Sequence, residues 1–219
     1  MTTHPRQKPK VFLFGPQALA LDAKFFHQLR LSLHADQHAK WALSIVSELL
    51  QVWESLIQTV PKLQHLNGAQ LLRDLNQGLQ TGEISPSLFP LPNILLSPLV
   101  VIAQLTQYVN LLMAALPNLG ETDEFPASVT ETAETLGLCT GILSAFAVSS
   151  SSSLAQLYKN GAVAVRLAML AGALVDAEQI SPDSDRAATS VSVSWNGVEP
   201  SATLSRVLKE CPEVGHSAV

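Results

Sequence analysis

Cysteine is scarce in this chain. Cys139 and Cys211 are the only two in 219 residues. Two thiols do not make a disulfide framework, so a reducing, cytoplasmic setting is expected. Charged residues are few as well, at 14%, divided into 13 basic and 18 acidic side chains with no block of lysine or arginine. A net charge of −5 argues against nucleic acid as a principal partner. No signal-peptide core stands at the start: MTTHPRQKPK is a polar leader, and the apolar run behind it, VFLF, is too short. An uninterrupted membrane span is missing too. The most apolar long window, 97–117, contains Gln104, Thr106, Gln107, Tyr108 and Asn110, whereas a spanning helix needs ~20 mostly apolar residues. A buried helix is expected there, and no membrane partner. No internal repeat is visible, and no metal site is expected.

What is present is a large apolar fraction, 47%, enough for the core of one large domain or two small ones. VFLF (11–14) is a β-favouring run ended by Gly15-Pro16, which suits a strand covered on both faces. From Asp36 to Val60, apolar residues fall at 42, 45, 46, 49, 50, 53, 56, 57 and 60, a helical spacing that Pro61 stops. A shorter helix is expected over 69–79, closing at Gly82. SPSLFPLPN (85–93) reads as a loop. Ser97-Pro98 reads as an N-cap followed by proline at the first helical position, opening a helix that ends at Pro117. NLGETDEFP (118–126) is a further loop. For 129–139 local propensity leaves strand and helix both open. Helices are expected over 142–149 and 154–175, joined at a five-serine run, with Gly161 and Gly172 as weak points of the second. SVSVSW (190–195) alternates like a strand, and 201–210 reads as a short helix. Strands separated by helices indicate α/β, yet the strand candidates are few for a complete domain of that class.

The first cysteine sits in GLCTG (137–141). The pentapeptide has two readings. An inert, buried small residue is one. The other is a nucleophile elbow, with Cys139 on a tight strand-to-helix turn. There the flanking Gly137 and Gly141 remove Cβ atoms that would strike neighbouring backbone. A helix N-terminus beside a thiol favours the thiolate, and the N–H of Thr140 becomes a candidate oxyanion donor. Cys211, in KECPE, has no such frame.

Three segments in order, VFLFGPQALALDAKFFHQLR (11–30), GLCTGILSAFAVSSSS (137–152) and AVAVRLAMLAGALVD (162–176), resemble the starter-unit acyl carrier protein transacylase domain of fungal non-reducing polyketide synthases. The resemblance implies an acyltransferase-type, α/β-hydrolase-like domain, helix-rich with a short parallel sheet. Residues 1–10 would be the leader and 11–219 the N-terminal part of that domain. It also implies two-step covalent catalysis: Cys139 takes an acyl group from coenzyme A or an acyl carrier and passes it to a carrier-protein phosphopantetheine. No bound cofactor is then needed; the expected partners are an acyl carrier protein domain and a partner fatty acid synthase or other synthase domains. Gln17 falls beside the oxyanion hole, although Pro16 replaces a residue that is often polar in related sequences. For Arg166, in an apolar helix, a structural partner is preferred over a substrate carboxylate, because acetyl or hexanoyl starters have none.

A cysteine of this kind needs a base, usually histidine. His27, His34, His38 and His65 lie in or around the early helices and read as helix surface; His4 is in the leader. His216 is the only histidine after Cys139. It opens GHSAV, which imitates a serine elbow but has no second glycine, so Ser217 is read as the start of a strand. The family's histidine segment and small inserted subdomain are expected beyond this stretch. The alternative function is accordingly a non-catalytic module that docks a carrier protein or synthase.

Overall fold

The structure, a computed structural model, describes residues 10–16, 22–130 and 133–180. The expected strand at 190–195 and helix at 201–210 lie outside the described residues, as do Gln17, Cys211, His216 and Ser217. Seven α-helices and two strands are described. In order they are β1 (Lys10–Phe14), α1 (Ala23–Ala35), α2 (Lys40–Thr59), α3 (Gly68–Thr81), α4 (Asn93–Ala115), α5 (Ala127–Thr130), β2 (Ala133–Gly137), α6 (Gly141–Ser149) and α7 (Leu154–Ile180). The described chain is therefore helix-rich around one short sheet.

Local chemistry explains some helix ends. Asp22 accepts the Phe25 N–H at 2.8 Å and caps α1. The single helix expected from Asp36 is divided: Asp36 accepts the His38 N–H at 2.8 Å, Gln37–Ala39 form a 3₁₀ turn, and α2 begins at Lys40. Its buried stripe is Ala42, Ile45, Val46, Leu49 and Trp53. Helix α3 closes at Gly82, which has φ +86°, a left-handed cap position that suits glycine. Arg30 and His34 of α1 both reach the Leu79 carbonyl, at 3.0 and 2.8 Å. They supply donors for carbonyls that the end of α3 leaves open.

Helix α4 corrects one expectation. It starts at Asn93, and Ser97 and Pro98 are buried inside it. The reason is tertiary. Asp176 of α7 accepts the backbone N–H groups of Asn93 (3.1 Å) and Ile94 (2.8 Å) and the Asn93 side-chain amide (2.8 Å). A buried carboxylate from 83 residues away thus caps the helix, satisfying first-turn donors and facing the positive end of the dipole. Pro98 stands inside the helix, where it has no N–H to give the Ile94 carbonyl. Asp176 meets the first turn of α4 while Gly161 lies against Leu105, so α4 and α7 run antiparallel. Gly172, expected as a weak point, is where the two backbones approach: a Cβ there would strike the Asn93 carbonyl. Both helices are long and apolar enough to cross a membrane by length and composition. In this fold α4 is the central core helix, with Leu95, Leu99, Val101, Ile102 and Leu105 fully buried.

Strands β1 and β2 pair in parallel, with Phe12 opposite Thr135 and Phe14 opposite Gly137. The segment whose propensity was undecided, 129–139, holds both a short helix and this strand. Alternation along β1 turns Phe12 and Phe14 toward Tyr108 of α4, at ring-centroid distances of 5.1 and 6.2 Å. Val11, Leu13 and Leu136 occupy the other face and are exposed. Among the described residues, then, the sheet is covered on one face, not both. The serine run forms the junction of α6 and α7. The hydroxyls of Ser150 and Ser151 bond back to Phe146 and Ala147 carbonyls at 2.7 and 2.6 Å, and the Ser152 carbonyl accepts the Phe125 N–H at 2.7 Å.

Candidate active site

The GLCTG stretch is the corner between β2 and α6. Cys139 has φ +56° and, among the described residues, is the one non-glycine with positive φ. Such a conformation costs an L-residue on the order of 1–3 kcal/mol. The neighbours enforce it. A Cβ on Gly137 would stand 2.5 Å from the Gly141 oxygen and the Ile142 Cα, and one on Gly141 would strike the Phe14 and Gly15 carbonyls. Strand, turn and helix are therefore packed backbone to backbone, and the side chain between the two glycines is turned outward. Cys139 is a free thiol and exposed. Its sulfur lies 3.8 Å from the Thr140 hydroxyl.

The backbone around the sulfur is partly committed. The amides of Gly141, Ile142 and Leu143 bond to the carbonyls of Leu138, Cys139 and Thr140 at 3.0, 3.0 and 3.1 Å, and the Leu138 amide bonds to Phe14 at 3.0 Å. Among the described residues, the Thr140 N–H enters no hydrogen bond. It is left as a donor at the start of α6, next to the sulfur. Gln17 lies outside the described residues; the turn after β1 is described through Pro16.

Two residues that the sequence reading passed over hold this corner. Gln104 of α4 donates through Nε2 to the Gly15 carbonyl at 2.8 Å and accepts at Oε1 from the fully buried Ser144 hydroxyl at 2.6 Å. Gln104 counted only as a polar interruption of an apolar helix. The available signal was that a glutamine in such a helix needs partners.

The remaining candidates lie elsewhere. Arg166 pairs with Glu48 of α2 at 2.6 Å, so its partner within the fold is a carboxylate of the protein itself. His34 caps α3, and His38 contacts the Tyr158 hydroxyl at 3.4 Å. Among the described residues, no histidine, aspartate or glutamate bonds to the Cys139 sulfur, and no three His, Cys, Asp or Glu side chains gather as a metal site. A cleft of ≈ 200 Å³ lies between Tyr108, Phe125, Thr135, Val148 and Ser151, and its lining does not include Cys139.

The model of the family described as starter unit:ACP transacylase in aflatoxin biosynthesis matches residues 12–214. Clavatol synthase claF of Penicillium crustosum is 60% identical over 211 residues, 96% of this chain. Citrinin polyketide synthase of Monascus ruber is 42% identical over 218 residues, the whole chain, and non-reducing polyketide synthase AC of Didymella fabae is 41% identical over 201 residues, 92% of it. The chain spans about 8% of the length of each of these relatives.

Proposed function

The chain belongs to the starter unit:ACP transacylase family, and on that premise we propose that it handles starter units in polyketide biosynthesis, with Cys139 as the acyl acceptor. The Cys139 sulfur attacks the carbonyl carbon of an acyl thioester. The C=O electrons move onto oxygen, and the tetrahedral oxyanion is met by the Thr140 N–H and, on the family resemblance, by the Gln17 region. Collapse expels the coenzyme A or carrier thiolate, which takes up the proton that the cysteine gave away. In the second step a phosphopantetheine thiol attacks the acyl-cysteine and leaves with the acyl group, restoring the thiol. No bound cofactor enters. On this reading β1, β2 and α6 form the corner of an acyltransferase-type, α/β-hydrolase-like sheet, the acceptor is a carrier-protein domain, and the setting is cytoplasmic.

One observation carries the proposal: an exposed free cysteine is held at φ +56° between two glycines at the head of α6. The test is incubation of the chain with acetyl-CoA and hexanoyl-CoA, followed by mass spectrometry of the intact protein. One acyl group per chain, lost in Cys139→Ala, is the expected outcome. Labelling that persists in Cys139→Ala overturns the assignment. The second reading, a non-catalytic docking module, is favoured by the described residues bringing no histidine to the sulfur. It predicts carrier-protein binding without any acyl-cysteine.

A further inference from the structure

We infer that Gln104 is a positioning residue for the Cys139 corner, setting the distance between the turn after β1 and the opening turns of α6. The inference rests on the acyl-transfer reading, because it concerns where oxyanion donors stand relative to the sulfur. The corner is assembled from two distant stretches of chain. One brings the Phe14-Gly15-Pro16 turn, which leads to Gln17. The other brings Cys139, Thr140 and α6. Besides the β1–β2 ladder, one side chain among the described residues bonds to both. The Gln104 amide bonds to the Gly15 carbonyl at 2.8 Å and to the Ser144 hydroxyl at 2.6 Å. The Gly15 carbonyl is also among the atoms a Cβ on Gly141 would strike, so the amide holds this carbonyl at the point where α6 presses against it.

The side-chain chemistry is specific. Gly15 offers an acceptor and Ser144 a donor, so the bridge needs a donor and an acceptor at one side-chain tip. Glutamine has both. Leucine leaves a carbonyl and a buried hydroxyl without partners. An ionised glutamate keeps the Ser144 bond but sets an oxygen against the Gly15 oxygen. Misplacing reacting groups by 1 Å costs on the order of 100-fold in rate, which is the size of effect expected here.

The test uses the full chain with hexanoyl-CoA as acyl donor and iodoacetamide as a thiol probe, both read on the peptide carrying Cys139. Alkylation passes through no oxyanion. Gln104→Leu is expected to slow acylation by roughly 100-fold and alkylation by less than about threefold. Gln104→Glu is expected to be slow near pH 8 and to regain acylation, relative to the native chain at the same pH, as protonation restores a donor toward Gly15. A packing defect alone leaves that ratio flat. Ser144→Ala breaks only one of the two bonds and is the substitute should Gln104→Leu not fold. Hydrogen exchange over 10–16 and 137–144 is the independent readout. An increase of about tenfold or more in Gln104→Leu, with α2 and α3 unchanged, sustains the positioning role even where the native chain takes up no acyl group, an outcome that sinks only the acyl-transfer reading. Unchanged exchange in both segments, or acylation by both Gln104 variants within about threefold of native at every pH, overturns the inference.

Discussion

Between α4 and α7, Asp176 takes the first amides of α4 and Gly172 admits the Asn93 carbonyl; on the two helices Leu95, Leu99 and Met169 are fully buried. At the Cys139 corner the backbone is left-handed at a residue with a side chain, the Thr140 N–H has no partner among the described residues, and the thiol is exposed. The first region gains stability from apolar burial and from a buried carboxylate that caps α4. The second holds a strained and unsatisfied arrangement that those contacts make affordable. Strain of this kind persists only where surrounding structure over-determines it.

That contrast can be broken from either side. The largest effect is expected from Leu99→Ala. It removes a fully buried side chain of α4 and is expected to destabilise the chain by ~2–5 kcal/mol in denaturant unfolding, leaving Cys139 acylation unchanged well below the unfolding transition. Gly141→Ala comes next. The added methyl meets the Phe14 and Gly15 carbonyls, for an expected loss of ~1–3 kcal/mol. Acylation should fall on the order of 100-fold, more than the stability loss alone would bring. The sign reverses for Cys139→Gly. Relief of the φ +56° conformation is expected to raise stability by about 1 kcal/mol while acylation disappears. A destabilised Cys139→Gly would mean that the corner is not strained. The last effect is alkaline. Burial, and after it the charges of Glu121 and Asp36, push the Tyr158 hydroxyl up to about 12, whereas in an unfolded chain it ionises near 10. Over that window the unfolded chain gives up a proton that the folded chain retains. Stability is then intact below about pH 10 and declines as pH rises toward 12. Absorbance titration of tyrosinate, compared with Tyr158→Phe, checks this.

Much of the helical region was legible from spacing and punctuation. The stripe from Ala42 to Trp53 marked α2, Pro61 its end, and Gly82 the end of α3. The start of α4 was not, because local signals nominated Ser97-Pro98 while the groups that cap the helix belong to Asp176 on another element. The strand at 133–137 was undecided for a similar reason: AETLG has no strong preference, and pairing with β1 makes it a strand. Arg166 announced a need for a partner without naming it; Glu48 is 118 residues away. At the corner, GLCTG pointed to the residue and its framing glycines. It carried no trace of Gln104 or Ser144, whose bonds to one another and to Gly15 cross three elements.

Periodicity and punctuation placed most of the helices, the segments 11–30, 137–152 and 162–176 carried the family resemblance, and that resemblance made Cys139 the candidate, because propensity, glycine sterics and thiol chemistry are properties of short stretches. The cap on α4, the pairing that makes 133–137 a strand, the carboxylate facing Arg166 and the amide that grips the corner depended on the folded chain. Each is a hydrogen bond or close approach between residues remote in sequence, and such contacts leave no periodicity for a reader of the sequence to find.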